Sequence, residues 1–565
     1  MEGEDRSGFR AAGSSVVMRQ STRLILNTGA TYARMALTVG IGLLVTRYAL
    51  RGLGEVDLGI SGLLLATIAW VQILTDSIIQ ASDRFFAFEL GKADHGRLRR
   101  VFASSLVLLL LTAGLVVGVG AALMPFIVDL LQIPPARAAS AERALLFTAL
   151  MSGFAVAGFP YRSMFTAHQE MVFMSAVEVS ESVLRLGAVL ALLFIPGDRL
   201  VIYSALLFAL QVLVSVGVAL VSMKRYPETR VWPTAASGAI IREMAHFSAW
   251  SVLGTLAQRL RLSGAPTALA RVFGPVHNAA YQVSFQAGSY QFQLAQAIFR
   301  AARPAVTQAH GSGNEALSQR LAMLTSKYCG WMVVAPLVPV LVETDILLKL
   351  WLGSYPEWTR EFVRLMCVAM ALPWLMAGTQ LLIQASGRVK ALMICSLVCE
   401  GAGLAAGFFW SRATGDPSKL LLASLLGALA NVLLTAGWLG RAVQLHFARY
   451  LRDVLVPLGL SMAPATAMAL AIHWAVPDTS PARAFGRLIA VCAAYFGGLA
   501  LGVWFLGLSK DERGHFQRVG VGIASRLPGP VKGVGLRLIG GQEAPPTRAS
   551  LETLGDDPAA PPSEV

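Results

Sequence analysis

Seven polar residues between positions 278 and 300 recur at the spacing of one face of an α-helix. Successive members are 4, 4, 3, 4, 3 and 4 residues apart, and they are Asn278, Gln282, Gln286, Ser289, Gln293, Gln296 and Arg300. An amide that faces lipid without a partner costs about 1 to 3 kcal/mol. This face therefore contacts either neighbouring helices or water. Seven positions in register favour a hydrated cavity, suited to a ligand rich in hydroxyl groups.

Three arginines in or beside apolar segments are candidates for binding an anion, because an intramembrane charge needs a cavity or a partner. A guanidinium forms paired hydrogen bonds with phosphate oxygens. Arg34 continues a face of small polar residues and is either an anion ligand or half of an ion pair. Arg259 is the one of two neighbouring arginines that we expect to point inward. Arg84 is either a ligand or an interfacial anchor.

Three acidic residues in apolar segments are candidates for binding a proton or Na⁺. Asp76 is either the ion-pair partner of Arg34 or a protonatable group. Glu178 has no counter-charge nearby in the sequence, so it is satisfied by another helix or by a proton. Glu400 stands alone in its apolar segment.

Other polar residues in apolar segments are expected to bond within the protein. Glu181 and Arg185 have the i, i+4 spacing that favours a salt bridge, so we expect them to pair. Asn431 and His473 are expected to be buried hydrogen-bonding residues. The five cysteines lie in or beside apolar segments and lack a set of His or carboxylate ligands, so we predict no metal and no cofactor.

The composition is that of an all-α integral membrane protein. Of the 565 residues, 55% are hydrophobic and 14% are charged, and the mean hydropathy is +0.60. Soluble domains carry about 25% charged residues. The isoelectric point near 9.9 reflects topology in such a protein, and the sequence has no nucleic-acid-binding module. It also has no HExxH or P-loop motif, so we predict that the protein is not an enzyme.

Runs of about 20 apolar residues predict fourteen transmembrane helices. They lie at approximately 25–47, 58–81, 102–124, 143–160, 172–195, 200–222, 248–270, 279–302, 328–348, 362–385, 390–411, 419–440, 454–476 and 485–508. Of the 47 Lys and Arg residues, 30 lie in or beside the termini and the even-numbered loops, and 13 lie in or beside the odd-numbered loops. Because basic residues favour the cytoplasmic side, both termini are predicted to be cytoplasmic.

An internal repeat with an offset of 220 residues relates the two halves of the chain. The offset aligns two turns, in which Arg51, Gly54 and Val56 match Arg271, Gly274 and Val276. Duplicated halves are common in transporters. The predicted divisions are a cytoplasmic segment (1–23), an N-lobe (24–222), a cytoplasmic linker (223–247), a C-lobe (248–441), a further pair of spans (442–508) and a disordered cytoplasmic tail (509–565).

Several segments resemble the polysaccharide flippases of the multidrug/oligosaccharidyl-lipid/polysaccharide exporter superfamily. They are NTGATYARMALTVGIGLLVTRYALRGLGEVDLG at 27–59, SDRFFAFELGKADHGRLRR at 82–100, FPYRSMFTAHQEM at 159–171, RVFGPVHNAAY at 271–281 and RPAVTQAHGSGNEA at 303–316. The resemblance implies two six-helix lobes in a V around a central cavity, with two extra C-terminal helices. It also implies inward-facing basic residues that bind a lipid pyrophosphate, for which Arg34 is the best match and Arg259 a second candidate.

The function that this resemblance implies is the flipping of a polyprenyl-pyrophosphate-linked oligosaccharide across the bacterial inner membrane, for surface polysaccharide biosynthesis. The expected partners are this lipid, membrane lipids and H⁺ or Na⁺. The protein itself is expected to be a monomer or to associate with other membrane proteins of the pathway. Two alternatives stay open, namely a multidrug or cation antiporter of the same superfamily and a membrane-embedded glycan polymerase or ligase. The candidate sugar ligands are Asn278, Gln282, Gln286, Gln293 and Gln296.

Overall fold

The computed structural model is nearly all helical, as the composition predicts. It describes residues 5–514 and 517, with gaps at 93, 169, 387–388, 440–446 and 478–479. Side chains are described from residue 35 onward, again with gaps.

Two groups of helices make up most of the described chain. We call the first group the N-lobe, which comprises α1 (Asp5–Gly91), α2 (His95–Leu130), α3 (Ala138–Ala167), α4 (Met171–Ala191) and α5 (Arg199–Arg225). The C-lobe comprises α6 (Gly238–Arg259), α7 (Ala265–Phe273), α8 (Pro275–Gly311), α9 (Glu315–Val342), α10 (Thr344–Leu352), α11 (Thr359–Ala371), α12 (Ala377–Ala385), α13 (Val389–Thr414) and α14 (Ser418–Leu434). The last described helices are α15 (Phe447–Tyr450), α16 (Val456–Ala475) and α17 (Pro481–Gly502).

Ten helical segments of the described chain are long and apolar enough to cross a membrane. The first, Leu37–Leu90, bends at Gly54 and so corresponds to two predicted spans. The helices α4, α6 and α8 are long enough but are not among the ten. These three helices carry many of the charged and amide residues singled out in the sequence, so they are less apolar than the ten candidate spans. The structure thus establishes a multi-pass helical membrane protein, and the count of fourteen spans stays a prediction.

The 220-residue offset is reproduced in the backbone. The matching helix breaks, helix ends and N-caps are Gly54 and Gly274, Gly91 and Gly311, and Asp94 and Asn314. At the two breaks φ is 79° and 82°, a left-handed conformation that glycine adopts without strain. Each N-cap side chain accepts a hydrogen bond from the backbone N–H three residues further on. The repeat therefore places two equivalent helix pairs opposite each other.

The two lobes meet at the end of the molecule that carries the helix breaks, which we call the junction end. Buried apolar side chains of both lobes form one cluster there, and they include Ala49, Leu53, Val189, Ala279, Val283 and Leu352. Burying such side chains stabilises the contact by about 25 cal/mol for each Å² of apolar surface removed from water. This cluster closes the space between the lobes at the junction end, which the charge distribution predicts to be periplasmic.

At the opposite end, α6 lies against α1 and α2. The rings of Phe85 and Phe247 pack edge to face with their centroids 6.5 Å apart. Arg97 forms an ion pair with Glu243 at 3.5 Å between nitrogen and oxygen. The second half of α1 therefore follows the α6–α7 segment along one side of the molecule.

The pair α16–α17 packs on α9 of the C-lobe. Trp331 Nε1 donates to Ser461 Oγ at 3.0 Å, and the Tyr495 hydroxyl donates to the Val334 carbonyl at 3.2 Å. The contacts of these buried polar groups orient the pair against a single helix.

Candidate functional site

The polar face of α8 begins in the junction between the lobes. Asn278 Nδ2 donates to the Gly59 carbonyl at 3.0 Å, and Gln282 Nε2 donates to the Leu58 carbonyl at 2.8 Å. Both acceptors belong to α1, and Gly59 lies directly against the backbone of Pro275. These two amides therefore bond the lobes to each other in this conformation.

Gln286 continues this face one turn beyond the junction. Its amide lies beside the hydroxyl of Tyr290, which packs against the backbone of Gly42 on α1. The Tyr290 hydroxyl is buried at this contact. A ligand that enters between α1 and α8 would meet this pair of polar groups.

The next turns of the face line a cavity of about 350 Å³ inside the C-lobe. Gln293 and Gln296 lie in its wall together with Glu400, which is 8% exposed. The Gln296 Oε1 atom accepts a hydrogen bond of 2.6 Å from Arg300. Most of the remaining wall is aromatic, aliphatic or methionine, and it includes Tyr281, Phe285, Phe292, Met366 and Met370. This cavity is suited to a ligand with an apolar body and a cationic or hydrogen-bonding group.

A second cavity, of about 810 Å³, lies between the lobes. One wall is the first half of α1, with Met35, Val39 and Leu43, and the other is formed by α8, α9, α10 and α11. Tyr290 and Leu294 line it from α8. Its surface is mainly apolar, so it can accept a hydrocarbon chain.

Of the three candidate anion ligands, the structure describes the side chain of Arg84. The side chains of Arg34 and Arg259 lie outside the described residues. Arg84 is exposed at the end of the molecule opposite the junction, and its guanidinium lies over the ring of Phe247 at 4.7 Å. The cation–π contact gives Arg84 a place between the two lobes.

The candidate ion-binding acids belong to different lobes. Asp76 lies on α1 and Glu178 on α4, where Glu178 is exposed. Glu400 lies on α13 in the wall of the C-lobe cavity, which neither of the other two lines. Glu400 therefore lies in a different environment from Asp76 and Glu178.

The prediction that Glu181 pairs with Arg185 is wrong. Glu181 Oε2 instead accepts a hydrogen bond of 2.9 Å from Arg162 at the end of α3. Packing of α3 against α4 supplies a closer partner than the residue one turn along. Arg162 lies within the FPYRSMFTAHQEM segment, which the sequence analysis had singled out for its family resemblance.

Two other polar residues behave as the sequence predicts. Asn431 Nδ2 donates to Ser396 Oγ at 3.2 Å, and His473 Nδ1 bonds the Glu343 carboxylate at 2.8 Å. Both therefore join neighbouring helices.

These features define a polytopic membrane transporter with cavities within and between its lobes. The family model for "Polysaccharide biosynthesis protein" matches residues 25–310, just over half of the chain. The chain therefore belongs to this family of flippases, in the multidrug/oligosaccharidyl-lipid/polysaccharide superfamily. No curated protein matches it in sequence.

Solved structures share the fold at low sequence identity. The lipid II flippase MurJ in an inward closed conformation has a TM-score of 0.67 and 9% identity, over 85% of this chain and 99% of that chain. A multidrug resistance MATE family transporter in an inward-facing conformation has a TM-score of 0.61 and 13% identity, over 73% of this chain and 97% of its own. The MATE transporter DinF-BH in complex with R6G has a TM-score of 0.56 and 15% identity, over 73% and 94% respectively.

Proposed function

We propose that this protein flips a polyprenyl-pyrophosphate-linked oligosaccharide across the bacterial inner membrane, with both termini in the cytoplasm. The observation that supports the proposal is that α8 carries an amide-bearing face beside the wall of an apolar cavity. Gln286 lies on the amide-bearing face of this helix, and its neighbour Tyr290 lines the apolar cavity between the lobes. A lipid-linked sugar has the same two parts, a hydroxyl-rich head and a hydrocarbon tail.

Flipping such a lipid requires the protein to replace the water around its head group. Each sugar hydroxyl would lose its hydrogen-bond partners in bare hydrocarbon. The amides of Asn278, Gln282, Gln286, Gln293 and Gln296 can replace these partners when the lobes separate. The hydrocarbon tail can stay in the apolar cavity between α1 and α8. The proposed work is therefore transport, with no covalent change to the lipid.

We assign the pyrophosphate to arginine side chains. Arg34 and Arg259 are the candidates that the family resemblance implies, and Arg84 is a third candidate from its position in the sequence. Coupling to H⁺ or Na⁺ is assigned to Asp76, Glu178 or Glu400. Glu400 has the best support, because it is a buried carboxylate in a cavity wall. The proposed partners are the lipid-linked oligosaccharide, this ion and membrane lipids.

A second candidate function is export of organic cations. The C-lobe cavity favours it, because a buried carboxylate among aromatic and methionine side chains suits a cationic, partly apolar ligand. The DinF-BH structure, in complex with R6G, has the same general fold.

Two bacterial hosts separate these functions. In a strain that lacks its own lipid-linked-oligosaccharide exporter, we expect the protein to restore surface glycan. In a strain that lacks drug efflux, we expect it to leave rhodamine 6G accumulation unchanged. The opposite pair of results would replace the flippase with a cation exporter.

Variants connect the first assay to the site. Arg34→Ala and Arg259→Ala are each expected to reduce surface glycan. The double variant Gln293→Leu/Gln296→Leu should reduce it by about thirtyfold if each of the two lost hydrogen bonds costs about 1 kcal/mol. Gln308→Leu is the matched control, since Gln308 is exposed on the same helix. Normal surface glycan in all of the site variants would contradict the assigned site.

A further inference from the structure

The cavity between the lobes is apolar along its length and cationic at one end. Among the described residues that line it, Arg47 on α1 is the one charged side chain. The rest of the wall is mainly aliphatic and aromatic. Arg47 lies two residues before Ala49, a member of the apolar cluster that joins the lobes. The charge is therefore at the junction end of the cavity.

Arg47 forms no ion pair within the part of the chain that the structure describes. Its Nη1 atom lies 3.4 Å from the Leu350 carbonyl of α10, which is a weak hydrogen bond at best. Its Nε atom is buried without an acceptor among the described residues. A buried donor of this kind is costly unless a ligand or water meets it.

A second guanidinium lies on the same face of α1. Arg51 is one turn beyond Arg47, about 40° around the helix, and lies beside Gly353 at the end of α10. It too forms no ion pair with any described residue. The acid of α10, Asp345, instead pairs with Arg360 at 3.2 Å. Two arginines therefore offer planar sets of donors that fit phosphate oxygens.

The length of the cavity matches one leaflet of a bilayer. Arg47 and Met35 both line it, and they are 12 residues apart on α1, which is about 18 Å along a helix. The hydrocarbon core is about 30 Å thick, so each leaflet contributes about 15 Å. Arg47 is the last residue of the first predicted span, which places it at the level of lipid head groups. The cavity thus runs from that level to about the middle of the membrane.

A hydrocarbon chain is the occupant that such a wall favours. Water in an apolar cavity lacks hydrogen-bond partners. An unfilled space would forgo the dispersion contacts of a packed interior. At about 810 Å³, the cavity is also far larger than the voids that packed interiors contain. Phospholipid is the most abundant source of hydrocarbon chains around a membrane protein, and it carries a phosphate at the surface end of its chains.

We propose that an anionic phospholipid of the leaflet at the junction end occupies this cavity while the lobes are closed. One acyl chain lies between α1 and α9, and the phosphate binds Arg47 and Arg51. This lipid is a component of the membrane and is not the proposed cargo, so the inference does not depend on what the protein exports. If the tail of the proposed cargo enters the cavity, it displaces this chain.

Native mass spectrometry of the purified full-length protein with added phosphatidylglycerol tests the head-group contact. We expect Arg47→Gln/Arg51→Gln to bind the most tightly held phosphatidylglycerol about tenfold more weakly than wild type. Arg143→Gln is the matched control, since it removes an exposed arginine of α3 that does not line the cavity, and it should bind like wild type. A thermal melt of each variant checks that it is folded. Equal affinity of wild type and the double variant would overturn the head-group assignment.

Two other ligands identify what the site recognises. Phosphatidylcholine carries a phosphate but no net charge, and it should bind wild type more weakly than phosphatidylglycerol. Glycerol 3-phosphate carries the phosphate without acyl chains, and it should bind at least tenfold more weakly. Equal binding of phosphatidylcholine would overturn the choice of an anionic lipid. Equal binding of glycerol 3-phosphate would make this a site for free phosphate esters.

Gly40→Leu tests the acyl chain without changing a charge. Gly40 lines the cavity, and a Cβ atom there would have no other atom within 4 Å. The leucine side chain should occupy space that the acyl chain needs and weaken phosphatidylglycerol binding severalfold. Gly118→Leu on α2 is the matched control, because its added side chain also meets open space but lies outside the cavity. Equal weakening in both variants would contradict the assigned position of the chain.

A phosphatidylglycerol with a photoreactive acyl chain tests the placement directly. After irradiation, peptide mass spectrometry should find adducts within 287–294 and 336–347, which contribute to the cavity wall. These adducts should decrease in Arg47→Gln/Arg51→Gln. Adducts confined to outward-facing side chains, such as Leu460 and Trp474 of α16, which are 53% and 82% exposed, would place the lipid on the outer surface instead.

Discussion

At the scale of single residues, the junction between the lobes depends on two glycines of α1. Gly59 lies against the backbone of Pro275, and Gly62 lies against the side chain of Gln282. The missing side chains let α8 approach closely enough for Asn278 and Gln282 to reach backbone carbonyls of α1. These amides can bond the lobes only while the glycines keep the helices close.

Gly59→Ala is therefore expected to weaken the junction. A methyl group there would overlap the Pro275 carbonyl, and overpacking of this kind costs about 1 to 3 kcal/mol. The thermal unfolding midpoint in detergent should fall. The matched control is Gly118→Ala on α2, where nothing lies within 4 Å of the added methyl and the midpoint should hold or rise. An equal midpoint for wild type and Gly59→Ala would count against the close junction.

At the scale of helices, ion pairs fix the pair α16–α17 and the segment that follows α17 to the C-lobe. Glu343, which follows α9, bonds His473 of α16 at 2.8 Å and Arg487 of α17 at 3.0 Å. Near the opposite end, Lys327 bonds Glu512 at 2.8 Å. The Glu343 and Lys327 side chains are 1% and 6% exposed, so each ion pair depends on its partner to offset the cost of burial.

Glu343→Gln should loosen this pair of helices. It removes the carboxylate shared by His473 and Arg487, and breaking a buried ion pair costs about 3 to 5 kcal/mol. Unfolding by titration with sodium dodecyl sulfate should require less detergent than for wild type. Glu357→Gln, an exposed change in the same region of the chain, should leave the titration unchanged. Matching curves for Glu343→Gln and wild type would argue against a structural role.

The Glu512 ion pair predicts a pH dependence. Burial raises the pKa of the Glu512 carboxyl, but hydrogen bonds from Lys327 and from the Ser509 N–H outweigh burial, so the pKa lies below its ordinary value. The carboxyl therefore stabilises the fold fully above about pH 4.3, and this contribution is lost as the pH falls through the lowered pKa. Wild type should exceed Glu512→Gln in thermal midpoint at pH 7, and the difference should shrink toward pH 3. A difference in midpoint that grows as the pH falls would contradict the predicted lowering of the Glu512 pKa.

At the scale of the whole molecule, the lobes are closed at the junction end, and the proposed transport requires them to separate there. The apolar cluster, the amides of α8 and the glycines of α1 all lie at this contact. Opening would expose the polar face of α8 to the other side of the membrane. The 220-residue repeat gives the two lobes equivalent helix breaks about which such a motion can be symmetric.

A disulfide across the junction should stop transport reversibly. The Cβ of a residue at position 62 would lie against the end of the Gln282 side chain, so the pair Gly62→Cys/Gln282→Cys tests such a cross-link. Oxidation should abolish surface glycan export, and dithiothreitol should restore it in the same cells. Surface glycan export by each single cysteine variant should be unchanged when the oxidant is added. Full export by the cross-linked protein would mean that the junction need not open.

The sequence by itself determined the membrane class, the repeat and the faces of the helices. Hydropathy and the 3.6-residue period are local properties, so they located the polar face of α8 and the turns at Gly54 and Gly274 without a structure. The sequence also predicted that Asn431 and His473 form hydrogen bonds inside the protein. Hydropathy and helical periodicity depend only on residues of the same chain segment.

Only the tertiary structure decided which partner each polar group meets. It divided the α8 face between the junction and a cavity, and it gave Glu181 to Arg162 on another helix in place of Arg185. A residue four positions along the same helix is always near, but packing can bring a distant residue nearer. Periodicity fixes the side of a helix on which a group lies, and the neighbour on that side is set by how the helices pack.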